Sequence, residues 1–192
     1  MKTVSRAYDT HAHAREAVAA LEAAGVAAKD ISLVANKCVS AEYDDVEKYP
    51  DAATGVGFGG ALGGGAGLLA SLGILTIPGL GPVLAAGWLV SVAVGAVAGA
   101  AAGGIVGALI DAGLSREHAD VYSEAVRRGC TLVSARVADP ESAKVQTMLD
   151  RYTPIDPVTR AGDYRREGWT GFDPKAPAYT LNEAEIERIR RA

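Results

Sequence analysis

Apolar and polar positions alternate over Thr3 to Tyr8, which reads as a short strand. Asp9-Thr10 follows as a helix start with Thr10 as N-cap, and Ala14, Ala17, Val18 and Leu21 recur at helical spacing. Gly25 closes that helix as its C′ residue. Ile31 to Asn36 is a second strand, so the start of the chain forms one βαβ unit with a right-handed crossover expected. The pattern returns at Ser115, an N-cap for a helix whose inner face is Ala119, Tyr122, Ala125 and Val126, closed by Gly129. Thr131 to Val137 is a strand. Asp139-Pro140-Glu141 starts a helix that buries Ala143, Val145, Met148, Leu149 and Tyr152, and a weak final strand is expected around Thr153 to Val158.

Between these halves lies an uncharged stretch. From Thr54 to Ile110 there is no Asp, Glu, Lys, Arg or His. Glycines recur every fourth residue, at Gly55, Gly59, Gly63 and Gly67 and again at Gly95, Gly99, Gly103 and Gly107. Ser71 extends the first run, and Gly87 and Ser91 extend the second backwards. Ile77-Pro78-Gly79-Leu80-Gly81-Pro82 is a turn between them. A spacing of four lines the glycines along one helix face, where two backbones can approach closely. The expectation is a glycine-zipper helical hairpin. At about 1.5 Å per residue its arms, Gly55–Ile77 and Val83–Ile110, reach roughly 34 and 42 Å, enough to cross a hydrocarbon core of about 30 Å. Transmembrane helices in a membrane are therefore one reading, and burial in the core of a homo-oligomer is the other. A flexible linker fits poorly, because the stretch lacks the polar residues that solvate such linkers.

The order βαβ, insertion, βαβ gives an α+β fold class: a ferredoxin-like split βαβ sandwich, helices on one face, with the hairpin inserted between strands two and three. Residues 1–53 hold the first unit and an acidic linker, 54–112 the insertion, 113–159 a helix and the second unit, and 160–192 an extended tail. Within the tail, Gly168-Trp169-Thr170-Gly171-Phe172 reads as an anchor onto the domain or a neighbour. Thr180-Leu181-Asn182-Glu183 reads as a capping box before a short helix ending near Arg191.

Charge adds little. A net charge of −4, with no basic stripe, gives no reason to expect nucleic acid. Residues 1–53 hold 6 basic and 9 acidic side chains and residues 111–192 hold 13 and 14, so the flanks do not orient a hairpin in a membrane. Met1-Lys2-Thr3-Val4-Ser5-Arg6 lacks the apolar run of a signal peptide. The expected location is the inner membrane with the α/β domain in the cytoplasm, or the cytoplasm alone.

Motifs of catalysis are weak. Gly55-Val56-Gly57-Phe58-Gly59-Gly60 matches a dinucleotide fingerprint in form, yet no strand precedes it and no acidic residue lies about 20 positions on. His11 and His13 sit two apart on a helix and cannot share a metal, and they read with His118 as surface histidines. The acidic residues Glu42, Asp44, Asp45, Glu47 and Asp51 lack calcium-loop spacing and read as a solvated linker. No serine sits in a nucleophile elbow. No catalytic residue, cofactor or metal is therefore expected. Cys38 follows the second strand and Cys130 precedes the third, so antiparallel pairing brings them together at the mouth of the insertion, either as a clamp within disulfide reach or as two buried thiols.

The run from Val4-Ser5-Arg6-Ala7-Tyr8-Asp9 through Ala24-Gly25-Val26 to Asp30-Ile31-Ser32-Leu33-Val34 resembles bacterial heat-induced general stress proteins. The glycine-zipper hairpin with its Ile77–Pro82 turn and the tail Gly168-Trp169-Thr170-Gly171-Phe172-Asp173-Pro174 look like the membrane-annotated branch of that family. The resemblance spans nearly the whole chain. It implies a structural, non-enzymatic protein of the stress response and supplies no catalytic residues. Expected partners are further copies of the chain and membrane lipid, with a small-ligand-binding sensory module as a further alternative.

Overall fold

Strand β1 (Lys2–Tyr8) leads through Thr10 into helix α1 (His11–Ala23), and a short 3-10 turn (Ala28–Asp30) returns the chain to β2 (Ile31–Asn36). The computed structural model describes residues 1–36, 73–77, 80–89, 92, 104–176 and 179, with the backbone alone at 73–77, 81, 82 and 84. Then come β3 (Gly73–Ile77), β4 (Gly81–Gly87), α2 (Gly104–Asp111), α3 (Arg116–Arg127) and β5 (Thr131–Val137). A second 3-10 turn (Asp139–Glu141), α4 (Ser142–Asp150) and α5 (Pro157–Arg166) follow. The architecture is mixed α/β around one antiparallel sheet.

Local chemistry sets the element ends. Thr10 Oγ1 accepts from His13 N–H, and Ser115 Oγ accepts from His118 N–H, as N-caps should. Helices α1, α2 and α3 all end with paired reverse bonds: Val26 N–H to Leu21 O, Leu114 N–H to Leu109 O, and Cys130 N–H to Ala125 O. Each turn passes through a left-handed glycine, Gly25, Gly113 or Gly129.

The sheet order is β1-β5-β2-β4-β3, with every neighbouring pair antiparallel. The late strand β5 thus separates β1 from β2 and splits the first βαβ unit. Alternation along the strands divides the core in two. Val4, Tyr8, Leu33, Val133 and Ala135 face α1 and α4, packing with Leu21, Val145 and Leu149. Ala7, Val34, Val83 and Leu132 face the other way, against Ile105 and Leu109 of α2 and Tyr122 and Val126 of α3. Each fully buried Leu or Ile contributes about 1.5–3 kcal/mol. Under α3 runs a row of short residues in register, Ser5, Ser134, Ser32 and Gly87. Ser5 Oγ and Ser134 Oγ are 2.8 Å apart, and Ser32 Oγ donates to Ala86 O at 2.8 Å, so the buried hydroxyls are satisfied.

Several expectations are overturned. Helices were expected on one face of the sheet, but they cover both. The residues flanking the Ile77–Pro82 turn are strands, not helix ends: β3 and β4 form a hairpin that adds to β2. Ile74-Leu75-Thr76-Ile77 is a β-favouring run that pairs with β4, and β4 takes the edge that β2 offers. Of the expected second arm, 104–111 is helical. Residues 54–72 and 93–103 lie outside the described residues.

The transmembrane expectation is also corrected. Among the described residues no helix is long and apolar enough to cross a membrane. The final strand is absent: Asp156 caps α5 with Pro157 in its first turn, and the segment before it makes one sheet-like bond, Ile155 N–H to Ala7 O at 2.8 Å. Ala143 is exposed, because it stands two positions from Val145, about 200° around α4 from the face that buries Val145 and Leu149.

Candidate functional site

Chemistry-bearing side chains converge at one end of the sheet, where β1 and β2 finish, β5 begins and the insertion departs. The β1–α1 junction supplies Asp9 and His11, the end of β2 supplies Asn36, and the α3–β5 junction supplies Arg127, Arg128, Cys130 and Thr131. Helix α5 completes the set with Arg160 and Tyr164, followed by Glu167.

Glu124 is the anchor. It is 1% exposed, on a helix buried from Val121 through Val126. Its carboxylate accepts from Arg127 Nε at 2.8 Å and Nη2 at 2.6 Å, and from Arg128 Nε at 2.6 Å. Arg128 also reaches Glu167 and lies 4.2 Å from the centre of the Tyr164 ring. Tyr179 of the tail stacks against both guanidiniums, at 4.9 and 5.1 Å. Burial disfavours the Arg128 cation, but the Glu124 and Glu167 carboxylates outweigh it and hold its pKa above the usual arginine value. Asn36 Nδ2 donates to Arg127 O at 2.7 Å, tying the end of β2 to the end of α3.

Beside this network, Arg160 Nη2 contacts both Asp9 oxygens at 2.7 Å. The carboxylate again overcomes burial and raises the arginine pKa. Cys130 is buried, and its thiol donates to Asp9 Oδ1 at 3.5 Å. His11 Nδ1 lies 3.5 Å from Thr131 Oγ1, and burial, helped by Arg15, pulls the imidazole down to about 4. Tyr164 is 4% exposed, with its hydroxyl unpartnered among the described residues, and burial pushes its pKa up. Its ring meets Trp169 edge-on at 5.8 Å. The opposed charges neutralise one another, so the arrangement clamps α5 and the tail onto α3 and the sheet.

The expected site residues fall unevenly on this geometry. Gly55, Gly59, Gly63, Gly67, Gly95, Gly99, Gly103 and Cys38 lie outside the described residues. Gly107 is on α2, and a Cβ built there meets no atom within 4 Å. Gly87, grouped with the zipper by spacing, serves a different purpose: its φ is +92°, and an added Cβ would stand 2.1 Å from Ile31 O where β4 crosses β2. Cys130 does sit at the mouth of the insertion. Trp169 and Phe172 pack onto the domain. Sequence reasoning missed the Glu124 and Asp9 networks. A glutamate followed at three and four residues by arginines on a helix was the one visible signal of the Glu124 network, and Asp9 and Arg160 lie too far apart in sequence to give one. No protein-family model, curated protein or solved structure matches the chain.

Proposed function

We propose that the chain is a non-enzymatic structural protein of the general stress response that works in the cytoplasm as a self-associating assembly. The single observation carrying this reading is the inequality of the two sheet edges. At the β1 edge, Ile155 N–H takes up Ala7 O, and the Arg6–Asp150 ion pair, Nε to Oδ1 at 2.6 Å, stands beside the strand. Such cover and charge discourage pairing with another chain. At the β3 edge no further strand pairs among the described residues, and Gly73-Ile74-Leu75-Thr76-Ile77 carries no charge. A second copy of the chain offers the same edge, and two-fold antiparallel pairing of β3 with β3 would make one continuous sheet. The split crossover around β5 supports a ferredoxin-like reading in which the fourth strand has shrunk to the Ile155 contact and the insertion contributes the β3–β4 hairpin. The stress assignment rests on the resemblance carried by the first βαβ unit and the tail.

Light scattering coupled to size exclusion tests this. The full chain should elute as a multiple of its 19.7 kDa monomer mass. Leu75→Lys, which places a charge on the edge strand, should reduce it to a monomer with an unchanged circular dichroism spectrum. A wild-type monomer throughout about 1–100 µM would defeat the reading.

A further inference from the structure

At the end of the sheet opposite the Glu124 network lies a partly enclosed depression of about 250 Å³, between the C-terminus of α1 and the start of α4. Val26, Val137, Val145 and Met148 give it an apolar wall. Five charged groups line it, and three of them are already in ion pairs. The Met1 amine lies 3.3 Å from Asp139 Oδ1, and Arg136 Nη2 lies 3.1 Å from Asp30 Oδ1. The Arg136 guanidinium is further held over the Trp88 ring at 4.7 Å. That leaves Glu141 and Lys144, both lining the depression, both exposed, and neither in an ion pair among the described residues.

These two are three residues apart at the start of α4. Side chains so spaced stand about 5–6 Å apart at Cβ, neighbouring yet unpaired here. A ligand of one charge would meet one of them favourably and the other unfavourably. A ligand carrying both charges close together would satisfy both. We propose that this depression binds a small zwitterion with an apolar side chain, the chemistry of a free α-amino acid of leucine size. The ammonium meets Glu141, the carboxylate meets Lys144, and the side chain lies along Val26, Val145 and Met148. The volume suits a molecule of about nine non-hydrogen atoms, for which a dissociation constant on the order of 1 mM is reasonable. This site is independent of self-association, since β3 lies at the far edge of the sheet from β5.

Titration of the 15N-labelled full chain with L-leucine, followed by amide chemical shifts, tests the proposal. Expected is a saturable shift confined to amides around Val26, Lys144, Val145 and Met148. 4-Methylpentanoate, which lacks the amine, and 3-methylbutylamine, which lacks the carboxylate, should each bind roughly fivefold more weakly. Glu141→Gln and Lys144→Gln, both at exposed positions, should weaken leucine by a similar factor and leave the rest of the spectrum in place. No saturation by about 20 mM leucine, equal binding of the singly charged analogues, or undiminished binding by both variants would each overturn it.

Discussion

Gly87 shows how much one missing side chain can matter. Its left-handed backbone and its approach to Ile31 O leave no room for a Cβ. Gly87→Ala should therefore destabilise the fold by about 2 kcal/mol or more, read as a lower denaturant midpoint at unchanged slope. His11 makes a pH-dependent contribution. Burial lowers its folded pKa to about 4 from the ordinary histidine value of about 6.5. Between those values the unfolded chain binds a proton that the folded chain refuses. Stability thus falls as pH drops through 6.5 and stops falling, for this group, below about 4, a loss of at most about 3 kcal/mol. His11→Gln should flatten that part of the stability–pH curve, and urea melts at pH 7 and 4.5 measure it.

Among the elements, those whose ends are written locally were the legible ones. Strand β2 and strand β5 match their expected bounds, and Thr10 and Ser115 cap as expected, because each signal needs only its neighbours. The β3–β4 hairpin was misread for a definite reason. Of the period-four positions only Gly87 falls in β3 or β4, so the helical reading of that segment extends a pattern set by glycines outside it. The run Ile74-Leu75-Thr76-Ile77 held the better clue. The segment before α5 was misread although Asp156-Pro157 repeats the Asp139-Pro140 start signal. The Glu124 network was hidden because it depends on α5 and the tail covering a second side of α3. Removing its carboxylate leaves two guanidiniums, at 15% and 13% exposure, without their shared partner. Glu124→Ala should cost about 3 kcal/mol, checked by thermal melting with Arg165→Ala, whose pair is exposed, as the near-neutral comparison.

At the scale of the whole molecule, the two ends and the two edges of the sheet differ in kind. One end is locked by the Glu124 and Asp9 networks, while the other leaves Glu141 and Lys144 open beside an apolar wall. One edge is covered and charged, and among the described residues the other ends in an uncharged strand. A mixed α/β core was legible in the sequence, and the antiparallel sheet around β5 agrees with it. The sequence could not tell how the insertion meets the sheet, since that depends on β2 having an edge to offer once β5 has filled its other side.

The position of β5 also bears on how the chain comes off the ribosome. Ser5 and Ser134, in contact across the sheet, are 129 residues apart in sequence. Until β5 emerges, β1 and β2 have no strand between them. At translation speeds of roughly 5–20 residues per second, that wait after β2 lasts on the order of 5–20 s. During it the uncharged insertion emerges from the exit tunnel before its sheet is finished, so nascent chains of this protein should lean on holdase chaperones more than their modest length suggests.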